Sequence, residues 1–217
     1  NEKNLEKVVQ NINNLNPDIV LFTGDSFNSN LILNDINKQN LKNILSKIKA
    51  TYRKYAIIGD NDYIDKNAFM DIWESVDFIV LNNTYDVFYY KGPDPLVFIG
   101  TNSLLEKEND ISLANRLEEE IKDAYKIWLN HEPSIIDELY KTSISPNLIF
   151  AGHHLSGLIN MPIIGYLLKQ EGIKSYTGTY FQNESTQMYV SSGLGTYKYN
   201  IRFLNPPSIN LYRLYQY

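Results

Sequence analysis

Four apolar runs along the chain each stop at a glycine or asparagine that is followed at once by an acid or a histidine. Ile19 to Thr23 leads into Gly24-Asp25, and Lys54 to Ile58 leads into Gly59-Asp60-Asn61-Asp62. Tyr125 to Leu129 leads into Asn130-His131-Glu132-Pro133, and Asn147 to Ala151 into Gly152-His153-His154. No polar alternation interrupts Ile19 to Thr23, which is the pattern of a strand buried on both faces. In open α/β sheets, ligands sit outside the carboxyl ends of the strands. The pattern therefore predicts Asp25, Asp60, His131 and His153 at one edge of the sheets, a mixture of carboxylate and imidazole suited to a metal ion.

Helical spacing fills the intervals. Leu5, Val8, Val9, Ile12 and Leu15 predict an amphipathic helix over residues 3–15, and Leu41, Ile44, Leu45 and Ile48 another over 35–49. A short helix is expected over 66–75, a longer one from Thr101 to Ile121, and one after Pro133. Three strand-like runs, Phe78 to Leu81, Tyr85 to Tyr90 and Leu96 to Gly100, read as a meander joined by Asn-Asn and Gly-Pro turns. Residues 159–180 read as loops, Gln187 to Thr196 as a strand entering a glycine turn, and Ser208 to Leu214 as a final strand. Helices alternating with strands imply an α/β fold with crossover connections, its two sheets packed face to face and covered by helices.

Composition narrows the chemistry. The 217 residues suit a single domain, and 43% apolar content supports a sizeable core. A formal charge of -5 provides no basic stripe, so no nucleic-acid partner is expected. With no cysteine there is no disulfide, no thiolate nucleophile and no thiolate metal ligand.

Taken in order, Gly24-Asp25, Gly59-Asp60-Asn61-Asp62, Asn130-His131-Glu132-Pro133 and Gly152-His153 resemble the calcineurin-like metallophosphoesterase superfamily over nearly the whole chain. The segment from Tyr189 to Thr196, with Ile201-Arg202-Phe203, is similar to a bacterial branch whose members are often exported or membrane-associated. The resemblance implies a four-layer αββα sandwich, with two mixed sheets flanked by helices. It also implies one or two divalent ions (Mn, Fe or Zn), which polarise a phosphoryl oxygen and activate water for in-line attack. By the same carry-over Asp25 bridges the ions, His131 and His153 are ligands, and Asp60 stands where the family has a metal-binding asparagine. The family's D-x-H motif is absent and would fall just before Asn1, so a single domain over 1–217 lacking that strand is expected.

Other departures bear on mechanism. Asn61 replaces the histidine that serves the phosphoryl group in the family, and an amide donates a hydrogen bond but is no acid near neutral pH. Leu155 replaces the last histidine of G-H-x-H. His154 sits one position early, facing away from His153 in extended backbone, and is the candidate to compensate; Arg202 is the candidate phosphate donor. Each residue alone has a plainer reading: Asp25 as a turn or cap residue, Gly59-Asp60 and Asn61-Asp62 as turn dipeptides, His131 as a helix cap, His153 as a buried hydrogen-bonded histidine, His154 and Arg202 as surface residues. Co-occurrence favours the functional reading.

The expected function is hydrolysis of a phosphomonoester or phosphodiester, on a small or lipid-linked substrate. The alternative is a degenerate, non-catalytic member that acts as a binding or scaffold module. An anchor preceding Asn1 would make the protein membrane-associated or extracytoplasmic; without one it would be cytoplasmic.

Overall fold

The computed structural model describes residues 2–27, 34–113, 116, 121, 124–142, 145–153, 160–161, 165–166, 176, 178–183, 185–195 and 206–215. Helix α1 (Glu2–Asn14) precedes strand β1 (Ile19–Phe22), and α2 (Asp35–Leu45) precedes β2 (Arg53–Ala56). A 3-10 segment (Asp60–Asp65) runs into α3 (Lys66–Ser75), followed by β3 (Ile79–Val80), β4 (Thr84–Tyr89) and β5 (Pro95–Gly100). Then come β6 (Tyr125–Asn130), α4 (Ile135–Leu139), β7 (Leu148–Ala151), the short pair β8 (Asn160–Met161) and β9 (Gly165–Tyr166), β10 (Tyr180–Asn183) and β11 (Thr186–Val190).

The strands form a three-stranded sheet, β1-β2-β3, and a six-stranded sheet, β10-β11-β7-β6-β5-β4. The small sheet is parallel throughout. The large one is mixed, with a parallel centre and an antiparallel strand at each edge.

Successive strand side chains point to opposite faces, and that alternation sorts each apolar run into two cores. Tyr55 and Ile57 from the small sheet meet Phe98, Ile127, Leu129, Leu148 and Phe150 from the large one, so the two sheets face each other across a shared core. The outward set of the large sheet, Val97, Ile99, Trp128, Ile149, Ala151, Met188 and Val190, packs under Ile135, Ile136 and Leu139 of α4. The outward set of the small sheet packs with Val9 of α1, Ile44 and Leu45 of α2 and Phe69, Ile72 and Trp73 of α3. Helix, sheet, sheet, helix is the layer order.

The two tryptophans belong to these cores and keep polar tethers. Trp73 stacks on Phe22 with ring centres 4.2 Å apart and donates from Nε1 to Ser26 Oγ at 2.7 Å. Trp128 is fully buried and donates from Nε1 to Thr101 Oγ1 at 2.9 Å. Trp128→Phe removes that donor and leaves unfilled space in the core. Urea unfolding should show a loss of about 1–3 kcal/mol.

Several expectations need correction. Among the described residues 101–110 are not helical; Ser112, Leu113, Arg116 and Ile121 are. Side-chain acceptors take the backbone of this stretch: Asn83 Oδ1 accepts from Asn102 N at 2.9 Å, and Glu132 Oε2 accepts from Leu104 N at 3.1 Å. Helix α2 ends at Leu45, short of Lys49. The three-strand meander reduces to the β4–β5 hairpin, because β3 pairs in parallel with β2 in the other sheet. The expected strand from Ser208 to Leu214 is absent, and 206–215 carries no regular structure. Side chains hold that stretch instead, with the Tyr212 ring 4.9 Å from Phe150 and 4.5 Å from Tyr189.

Candidate metal centre

Four parallel strands, two from each sheet, deliver the site. β1 ends just before Gly24-Asp25 and β2 before Gly59-Asp60, while β6 runs into His131 and β7 into Gly152-His153. The glycines are what let these strand ends converge. Gly24 has φ +91, and a Cβ there would lie 2.6 Å from His131 Nδ1 and 2.7 Å from Gly59 N. A Cβ on Gly152 would lie 2.6 Å from the Thr23 carbonyl oxygen. Next to Gly24, Asp25 itself is left-handed at φ 65, and His153 at φ 53. Such backbone is uncommon for residues with side chains and needs surrounding structure to hold it.

The result is one cluster: ligand-type atoms of Asp25, Asp60, His131 and His153 all lie within 4.8 Å of one another. His131 Nε2 is 3.3 Å from Asp25 Oδ2 and 3.1 Å from Asp60 Oδ1. His153 Nδ1 is 3.1 Å from the same Asp60 oxygen. The side chains of His131, His153 and Asp25 are 2%, 1% and 7% exposed. Two carboxylates here are largely withdrawn from water, an arrangement that needs a compensating positive charge.

The tautomer of His131 sharpens this. Its Nδ1 donates to the Thr23 carbonyl oxygen at 2.6 Å, which fixes the proton on that nitrogen in the neutral ring. The lone pair of Nε2 then faces two carboxylate oxygens, and this buried atom has no hydrogen-bond partner despite their closeness. A cation between these groups resolves the repulsion: a proton, or a divalent ion with His131 Nε2 as a ligand. Burial disfavours the imidazolium, yet Asp25 and Asp60 lift the His131 pKa well above the ordinary imidazole value. Burial likewise opposes ionisation of Asp60, and the two histidines overcome it and hold that carboxyl well below the usual carboxylate range. The donor set of two carboxylate oxygens and two imidazole nitrogens suits Mn, Fe or Zn.

Asn61 lies against the cluster. Its backbone N donates to Asp25 Oδ1 at 3.1 Å and its Nδ2 to Asp25 Oδ2 at 2.7 Å. His154, Leu155 and Arg202 lie outside the described residues.

Two further buried carboxylates, Asp62 and Glu132, lie beside the cluster. Asp62 accepts four backbone N–H bonds at 2.8–3.1 Å. Burial and the negative charge of Asp25 push its carboxyl up to about 7, yet both oxygens meet N–H donors alone, the arrangement of an ionised group. Glu132 accepts from Ser103 Oγ, Leu104 N and Leu105 N, and so fixes the loop beside His131. No alternation or spacing singles out either residue; the only signal is an acid within two positions of a candidate ligand. A cavity of about 280 Å³ lined by Ala50, Tyr52, Arg53, Lys54, Asp77 and Ile79 opens at the start of β2, the opposite strand end from Asp60.

Residues 1–190 match the family model of the calcineurin-like phosphoesterases, and the chain belongs to that family. Among its relatives is the uncharacterized metallophosphoesterase YkuE of Bacillus subtilis, 28% identical over 216 residues, covering 98% of this chain and 73% of that protein. A second B. subtilis metallophosphoesterase, YkoQ, is 24% identical over 213 residues, with 91% and 72% covered. The UDP-2,3-diacylglucosamine pyrophosphatase LpxG of Chlamydia trachomatis is 27% identical over 260 residues, with 96% and 77% covered. Among the described residues, no helix is long and apolar enough to cross a membrane.

Proposed function

We propose that this protein is a metal-dependent phosphoesterase in which Asp25, Asp60, His131 and His153 hold a divalent cation. The observation that carries the reading is the buried His131 Nε2, turned toward two carboxylates by the Thr23 carbonyl and left without a hydrogen-bond partner. A bound divalent ion supplies Lewis-acid polarisation of a phosphoryl oxygen and a lowered pKa for water. The protein's own contributions are distinct. Thr23 fixes the His131 tautomer, the two aspartates supply the charge that retains a dication, and the low exposure of the histidines limits competition from water. Asn61 orients Asp25 through two hydrogen bonds. Its amide can also donate to a phosphoryl oxygen, but it cannot protonate a leaving group.

The substrate class is a phosphomonoester or phosphodiester on a small or lipid-linked molecule. Similarity to a diacylglucosamine pyrophosphatase makes a nucleotide-linked lipid one substrate to assay. The absence of an acidic side chain at Asn61 favours one competing reading, a family member that binds phosphate esters with little turnover.

Bis-p-nitrophenyl phosphate and p-nitrophenyl phosphate, assayed with the metal-stripped protein before and after Mn²⁺, test the proposal. Turnover restored by Mn²⁺ and abolished again by EDTA is the expected result. Bound Mn²⁺ without turnover of either ester or of the lipid-linked pyrophosphate would leave the binding module; no bound metal would overturn the metal-dependent phosphoesterase.

A further inference from the structure

We infer that Asp62 is a positioning residue that sets the metal affinity of this site by clamping the loop after β1 to the loop after β2. Asp62 is fully buried and is not among the four residues whose ligand-type atoms cluster. Its Oδ2 accepts from Asp25 N at 2.8 Å and Gly59 N at 2.9 Å, and its Oδ1 from Ser26 N at 2.8 Å and Phe27 N at 3.1 Å. Three of the four donors belong to the turn that carries Asp25, and the fourth immediately precedes Asp60. One carboxylate therefore fixes the relative position of two ligands that approach from different strands.

The clamp explains how Asp25 keeps its left-handed backbone at φ 65. A residue with a side chain holds that conformation only where its surroundings over-determine it. Here the Asp25 N–H is tied to Asp62 while its carboxylate is tied to Asn61. If the backbone relaxed, the carboxylate would swing away from His131 Nε2, which lies only 3.3 Å from it. Groups that orient metal ligands typically contribute about 10–100-fold to metal affinity. The inference rests on the metal centre proposed above and adds the residue that shapes it.

Asp62→Asn separates this role from simple packing. The amide has nearly the same shape, but whichever way it is turned its NH₂ opposes one pair of N–H donors. Co²⁺ titration of the wild type and the variant, with the visible d–d band recorded, reads affinity and ligand geometry without reference to turnover. The expected result is about 10–100-fold weaker Co²⁺ binding and a changed band in Asp62→Asn. Amide exchange should also be faster at Gly59, Asp25, Ser26 and Phe27.

Ile72→Ala, a cavity variant in the core under α3, is the control for lost stability alone; it should lower the melting temperature and leave Co²⁺ affinity and band unchanged. If Asp62→Asn does not fold, Asp62→Glu replaces it, keeping the charge but moving both oxygens one methylene outward; the same loss is expected. Wild-type affinity and band in the folded variant would overturn the inference and leave the metal centre standing. A wild type that binds no Co²⁺ would instead overturn the metal centre, and the inference with it.

Discussion

Asp25→Asn is expected to reduce Mn²⁺ affinity by at least about 100-fold and to remove Mn²⁺-dependent hydrolysis with it, beyond the range typical of residues that only orient ligands. Asp25 is one of two carboxylates facing His131 Nε2, and asparagine keeps its shape while halving the negative charge that offsets a dication. The backbone of residue 25 remains tied to Asp62, so the loop should stay in place and circular dichroism should be unchanged. Isothermal titration with Mn²⁺ on stripped protein measures the affinity, and the chromogenic phosphodiester measures turnover. Unchanged metal content together with unchanged activity would remove Asp25 from the site. Asp60→Asn is a graded companion. The Asp60 side chain is 20% exposed against 7% for Asp25, so water offsets more of the lost charge at position 60; affinity should fall by less than in Asp25→Asn, and the two variants rank the carboxylates.

The second large effect is on stability. Gly24→Ala should lower it by roughly 2–5 kcal/mol, because left-handed backbone disfavours a side chain and the new methyl group overpacks a closed site. Its Cβ would lie 2.6 Å from His131 Nδ1 and 2.7 and 2.8 Å from the backbone N and Cα of Gly59. None of these is the far end of a flexible side chain. The ring is held by its bond to Thr23, and Gly59 by its bond to Asp62, so relief requires the strand ends to separate. For a chain of this size a change of that magnitude lowers the melting temperature by roughly 5–15 °C. A melting temperature within 2 °C of wild type (roughly the shift from 1 kcal/mol or less) would show that the strand ends do not approach this closely in solution. Separation of the strand ends would also widen the metal cluster, so Mn²⁺ binding should weaken alongside stability.

Much of the site was legible in the chain because its signals are local. An apolar run, a glycine and then an acid or histidine describes a buried strand, its stop and a side chain at its carboxyl end within a few residues. Four such units, at Asp25, Asp60, His131 and His153, converge because parallel strands place their carboxyl ends on one side. The layer order was legible for a similar reason. Each run supplies apolar residues to both faces, and only two sheets with helices outside can cover both.

The parts that sequence left undetermined depend on partners far away along the chain. Residues 101–110 carry no helix because Asn83 and Glu132, 19 and 28 residues from the backbone groups they take, hold the loop. The stretch from Ser208 to Leu214 alternates like a strand, but its described contacts are ring packing by Tyr212, a bond from Ser208 N to Gly193 O and a hydroxyl pair between Ser208 and Ser192 rather than a ladder. Asn61 looked like a turn residue or a replaced histidine, and only the fold shows both its donors on Asp25. Asp62 carried only the weak signal of an acid beside a candidate ligand, since its role lies in four N–H groups, three of them 35–37 residues upstream. Periodicity reports which side of an element is buried; it cannot report which distant acceptor a buried N–H will find. For this protein the sequence by itself determined the types of the candidate ligands and the sheet edge that presents them, while tertiary structure alone decided the tautomer of His131, the orientation of Asp25 and the hydrogen bonds of Asp62 that hold the two loops together.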